Sequence, residues 1–114
     1  MQSEDGKKLT IFTSEEQRYE HQPLYEAIIA ELRRAGINTA SVTRGIASFG
    51  KAGVIHTWTI EVLSSNLPIT IEATDTREKI DRVLPAIAEM ALGELVDVTP
   101  VQIVRHWFAE SNDA

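Results

Sequence analysis

Lys8-Leu9-Thr10-Ile11-Phe12-Thr13 is a short β-favouring run after a polar start, and it predicts a first strand. Ser14 to Gln22 is polar and has no period, which predicts a loop. Pro23 then opens a helix at its first position, where a missing N–H costs nothing. Leu24, Ile28, Leu32 and Ala35 recur at helical spacing, and Tyr25 and Ile29 widen that apolar stripe. Gly36 ends the helix as a left-handed terminator, with Arg33 and Arg34 in the last turn complementing the helix dipole.

Thr39 to Ile46 alternates, and a segment containing Gly45, Gly50 and Gly53 follows. Trp58, Ile60 and Val62 then alternate with Thr57, Thr59 and Glu61, and Ile69, Ile71 and Ala73 with Thr70, Glu72 and Thr74. With Ser64-Ser65-Asn66 between them, these two runs predict a tight antiparallel hairpin. Asp75-Thr76-Arg77-Glu78 has the form of a capping box, placing the N-cap of a second helix at Asp75. Ile80, Val83, Leu84, Ile87 and Met90 or Ala91 make its stripe, Pro85 predicts a kink within it, and Gly93 its end. Leu95 to Val104 reads as a last strand. Its apolar parity changes between Val96, Val98 and Val101, Ile103, which predicts a bulge or a sheet edge at Pro100.

These elements predict an α+β fold, the ferredoxin-like βαββαβ sandwich. Right-handed crossovers put both helices on one face of a four-stranded antiparallel sheet. The expected organisation is a flexible N-terminus over residues 1–7, one domain over 8–104 and a tail over 105–114. Trp107 and Phe108 in that tail need a surface to bury them, and with two helices covering one face, oligomerisation is expected.

Composition sets the limits on function. The chain has 114 residues, 43% hydrophobic and 25% charged, and no cysteine, which excludes disulfides, thiolate metal sites and cysteine nucleophiles. No apolar run is long enough to span a bilayer and the start lacks the form of a signal peptide, so the expected compartment is the cytoplasm. A net charge of −6 disfavours general binding to nucleic acid. Residues 1–57 hold seven acids and seven bases, so residues 58–114 carry the whole negative charge. From Leu32 to Ile60 there is no carboxylate, while Arg33, Arg34, Arg44 and Lys51 fall there. Such an island can recruit a small anion, although Arg33 and Arg34 are equally accounted for by the helix terminus.

His21, His56 and His106 have no metal-ligand spacing, and neither Ser14 nor Ser48 stands in a nucleophile elbow. Glu15, Glu16 and Glu20 read as a solvated loop cluster with Arg18. No metal site and no catalytic constellation emerges, so a noncatalytic protein is expected. What remains is Arg44-Gly45-Ile46-Ala47-Ser48-Phe49-Gly50-Lys51-Ala52-Gly53. Glycines let backbone N–H groups approach an anion and the two cations supply countercharge. Ser48 offers a hydroxyl and Phe49 a ring that could stack on a purine. The same segment also reads as a plain connection between strands, with Phe49 in the core.

Phe12-Thr13-Ser14-Glu15, Pro23-Leu24-Tyr25-Glu26-Ala27-Ile28, Thr43-Arg44-Gly45-Ile46 with Phe49-Gly50, Ile55-His56-Thr57, Leu67-Pro68-Ile69 and Asp75-Thr76-Arg77-Glu78-Lys79-Ile80 resemble the domain-of-unknown-function family 190 over roughly residues 8–104. That family resembles a branch of the PII-like superfamily. The resemblance implies a homotrimer that binds an adenine nucleotide between subunits, as an effector with no cofactor. It also implies a connection after the second strand that touches membrane transporters or enzymes, a fluoride-channel type of membrane protein among them. Leu92-Gly93-Glu94-Leu95-Val96-Asp97 stands where PII proteins carry a glycine-rich phosphate loop. Its two acids would repel a triphosphate, which favours AMP or ADP over ATP. The candidate ligand site, read from the residues of this segment, is Arg44 and Lys51 for phosphate, Gly45 and Gly50 for backbone N–H groups, Ser48 for a further hydrogen bond, Phe49 for the base, and His56 at its far end. The alternative is a ligand-free interaction subunit docking on a transporter or ion channel.

Overall fold

The computed structural model describes residues 3–46 and 66–104. The described residues form strands β1 (Glu4–Ser14), β2 (Arg18–Tyr19) and β3 (Gln22–Pro23), helix α1 (Leu24–Arg34), strands β4 (Ala40–Arg44) and β5 (Pro68–Thr76), helix α2 (Arg77–Met90) and strand β6 (Leu95–Ile103). The four long strands make an antiparallel sheet in the order β4-β5-β1-β6, and both helices cover one face of it. This is the expected α+β, ferredoxin-like arrangement.

Strand pairing corrects one expectation. Residues 69–73 pair with β1 on one edge and with β4 on the other, from Ala40 opposite Ala73 to Arg44 opposite Ile69. Both edges of residues 69–73 are thus filled, by β1 and by β4. The alternation of β5 could not reveal this, because it specifies a face and not a partner. Residues 57–62 themselves lie outside the described residues.

The core is the layer between sheet and helices. Leu9 and Ile11 of β1, Ile69 and Ile71 of β5, Leu24, Ile28 and Leu32 of α1, and Ile80 and Ile87 of α2 are fully buried there. Helix α1 begins one residue later than expected, with Pro23 as its N-cap. It ends in a Schellman turn: the Gly36 N–H donates to the Arg33 carbonyl (3.0 Å) and the Ile37 N–H to that of Leu32 (3.0 Å), with Gly36 at φ 83°.

The N-cap of α2 is also displaced by one residue. Thr76, not Asp75, accepts the Lys79 N–H on its hydroxyl (3.4 Å), because β5 continues through Thr76. The helix runs without interruption through Pro85. Gly93, at φ 91°, stands in the turn that follows.

Two other expectations shift, and a third is met in one of its two forms. Strand β1 starts at Glu4, so residues 4–7 pair with β6 in the sheet. The polar stretch before α1 holds the two-residue ladder of β2 and β3, closed by Glu20 (φ 50°) and His21 (φ 72°), which lack the glycine or asparagine that announces such a turn. Pro100 stands at a sheet edge without a bulge, opposite Lys7 in a continuous register. The parity change in β6 has a different cause. Val96 and Val98, opposite Ile11 and Leu9, face the core, whereas Val101 and Ile103, opposite Gly6 and Glu4, face the open side of the sheet.

Ile103 lies over Gly6, where an added Cβ would stand 2.5 Å from Ile103 Cδ1 and 2.9 Å from the Asp75 carbonyl oxygen. The side chain can turn away but the carbonyl belongs to the neighbouring strand. Gly6→Ala is therefore expected to cost about 2 kcal/mol of overpacking, measured by urea unfolding. A variant as stable as the parent would contradict this close approach.

Candidate functional site

The described part of the candidate site lies at one end of the sheet, where β1 and β4 finish and β5 begins. Arg44 is the last residue of β4, an edge strand. Ile69 stands opposite it and Thr13 stands opposite Ile69, and both are buried, so Arg44 projects from the helix-covered face. Its side chain reaches across β5 to the end of β1, where its Nε stands 2.7 Å from Glu15 Oε2. The two side chains are 55% and 28% exposed, so the pair is partly desolvated and still open to solvent.

Glu15 is held independently of Arg44. Its N–H donates to the Leu67 carbonyl (2.9 Å), and its Oε1 accepts the Leu67 N–H (3.3 Å). The next N–H, that of Glu16, donates to Asn66 Oδ1 (3.1 Å). Glu15 thus belongs to a hydrogen-bonded join between β1 and β5, and not to a solvated cluster with Arg18, whose Nη2 donates to the His21 carbonyl (2.9 Å). Thr13 Oγ1, in the same row as Arg44, is buried without a hydrogen-bond partner.

Gly45 does not hold an anion cradle open here. Its N–H donates to the Pro68 carbonyl (2.8 Å), and a Cβ at this position would stand 3.0 Å from Pro68 Cγ. The glycine permits the close approach of the chain to Pro68. Ser48, Phe49, Gly50, Lys51 and His56 lie outside the described residues. Of the cationic island, Arg34 is paired with Glu31 (Nη2 to Oε1, 2.5 Å).

Arg33 lines an open groove of about 550 Å³ between α1 and β4. Tyr25, Glu26, Ile29 and Ala30 supply its α1 side and Val42 its β4 side. Val42 is two residues before Arg44 on the same face of the strand. The groove is thus mainly apolar, with a guanidinium and a carboxylate at its margin. Its lining was absent from the expected site because Tyr25 and Ile29 read as core positions; they widen the buried stripe but remain partly exposed. Among the described residues no group of three His, Asp or Glu side chains is placed to hold a metal ion. Nor is any described helix long and apolar enough to cross a membrane.

Comparison with known proteins places this geometry in a family. The chain is 35% identical over 98 residues to a UPF0166 protein of Aquifex aeolicus, covering 86% of this chain and 92% of that one. It is 40% identical over 85 residues to the UPF0166 protein MJ1524 of Methanocaldococcus jannaschii, covering 75% and 78%. Among solved structures, it shares its fold with CPII of Thiomonas intermedia K12 bound to ADP, AMP and acetate, with a TM-score of 0.64 at 19% identity over 92% of this chain and 94% of that one. Residues 6–103 match the family DUF190, "Uncharacterized ACR", and the chain belongs to that family, on a PII-like fold.

Proposed function

We propose that this chain is a noncatalytic regulatory protein of the PII-like kind, assembled as a cytoplasmic homotrimer, that binds an adenine nucleotide, AMP or ADP, at its subunit boundaries. The observation that carries this reading is the placement of Arg44: a half-exposed guanidinium at a strand end, next along the strand from an apolar groove large enough for a nucleoside. CPII, whose fold the chain shares, has been solved with ADP and AMP. Arg44 would take a phosphate and the groove with Tyr25 would receive apolar parts of the ligand. Lys51, Gly50, Ser48, Phe49 and His56 remain the further contacts that the chemistry of this segment suggests, and a transporter or channel remains the partner implied by the family resemblance. Glu94, just before β6, and Asp97 within it stand where the resemblance puts a phosphate loop, and their charge would favour the less charged nucleotides there.

Assembly is supported by what the protomer leaves uncovered. β4 and β6 are the edges of the described sheet, and Phe12 (42% exposed) and Leu95 (61%) stand opposite one another on its open face.

Calorimetric titration of the full chain with AMP, ADP and ATP tests the reading, with light scattering to confirm the assembly. Arg44→Ala is expected to weaken AMP and ADP about tenfold, the equivalent of one charge-assisted hydrogen bond. Absence of binding by every nucleotide to an intact assembly would overturn the reading.

A further inference from the structure

Any anion that approaches Arg44 finds it already engaged. Glu15 Oε2 stands 2.7 Å from the Arg44 Nε, while Oε1 of the same carboxylate accepts the Leu67 N–H and the Glu15 backbone continues the ladder to Leu67. A carboxylate held in this way has little rotamer freedom left to lose when the guanidinium arrives, unlike the usual flexible surface pair. The pair is nevertheless exchangeable, because more than half of the Arg44 side chain and more than a quarter of the Glu15 side chain are exposed. A deeply buried pair would be locked by the cost of separating its charges. This one sits at the exposure where an incoming phosphoryl group, with more charge and more acceptor oxygens than a carboxylate, can compete.

We propose that Glu15 is an internal counter-anion of Arg44, a carboxylate that competes with a phosphoryl anion for the Nε edge and the charge of the guanidinium. The inference rests on Arg44 being the anion contact of the proposed function. It adds two consequences. The first is selectivity: singly charged inorganic anions compete poorly with Glu15, so the site favours ligands with phosphoryl groups. The second is transmission. Because the same carboxylate accepts the Leu67 N–H, a ligand that draws Glu15 away from Arg44 also perturbs that contact at the entry to β5.

Glu15→Gln separates charge from shape, since the amide keeps an oxygen for the Leu67 N–H and loses the negative charge. The full chain, the Glu15→Gln variant and the Glu15→Gln/Arg44→Ala double variant are titrated with inorganic pyrophosphate and with ADP at fixed ionic strength. Glu15→Gln is expected to bind both about fivefold more tightly than the parent, the equilibrium equivalent of a well-formed exposed ion pair, and the double variant to lose that gain. A gain for pyrophosphate with no ADP binding by any protein upholds the counter-anion and discards the adenine nucleotide. A folded Glu15→Gln variant with no gain for either probe overturns it. If that variant does not fold, the parent answers by NMR: the Arg44 Nε–H and Leu67 amide resonances should move together as pyrophosphate is added. Arg44 saturating while Leu67 stays still, or neither moving, overturns the proposal.

Discussion

Ile71→Ala should lower the unfolding free energy by about 4 kcal/mol, a large share of the total for a chain of this size. Ile71 is fully buried at the centre of β5, in register with Ile11 of β1 on one side and Val42 of β4 on the other. Both flanking strands are fixed by their own hydrogen bonds and the helices close the layer above, so the site cannot collapse to fill the space of the lost side chain. Val42→Ala, one strand away in the same row, should cost less than about 1 kcal/mol, because Val42 is 42% exposed at the sheet edge. Urea unfolding of the two variants measures the contrast. Equal losses would mean that the edge position of β4 is covered in solution, as by another subunit.

Asp75→Ala should be nearly as damaging, at about 3 kcal/mol. Asp75 is 2% exposed at the end of β5. Its Oδ2 accepts the Asn38 backbone N–H (2.9 Å) and the Asn38 side-chain amide (3.2 Å), and its Oδ1 accepts the Thr76 N–H (2.7 Å). Lys79 Nζ stands 3.6 Å from Oδ2. One carboxylate therefore joins the α1–β4 connection to the first turn of α2. Alanine leaves the Asn38 donors facing a space too enclosed for ready hydration. Asp75→Asn keeps the shape and part of the accepting capacity, and should recover about half of the loss. The same unfolding experiment decides the matter: an alanine variant within about 1 kcal/mol of the parent would show that the Asn38 donors find other partners.

The fold was largely legible because its signals are local. The stripe of Leu24, Ile28 and Leu32 and the terminator Gly36 specify α1 within a few turns, and the stripe of Ile80, Val83 and Ile87 does the same for α2. Displacements of one residue at Pro23 and Thr76 reflect how little separates adjacent capping positions. The β2–β3 turn escaped because Glu20 and His21 carry no conformational signature. The edge partners of residues 69–73 escaped for another reason: alternation cannot say which of several compatible strands takes an edge, and β1 and β4 took both.

The candidate site was less legible. Arg44 stood out as a cation in a run without carboxylates, yet its counter-charge comes from Glu15, far back along the chain. Gly45 read as a donor to a ligand and is a donor to Pro68. In both cases the partner is brought in by the β1–β5 and β4–β5 registers, which no local pattern contains.

Sequence alone determined the two described helices with their buried faces, the long strands of the described sheet and the family, because period, capping and turn preferences act over a few residues. Tertiary structure decided which strands share edges, that Asp75 is a buried junction instead of a helix cap, and that Arg44 meets Glu15. Those outcomes depend on pairing across long separations, where hydrogen-bond registers and burial are settled only when the whole sheet closes.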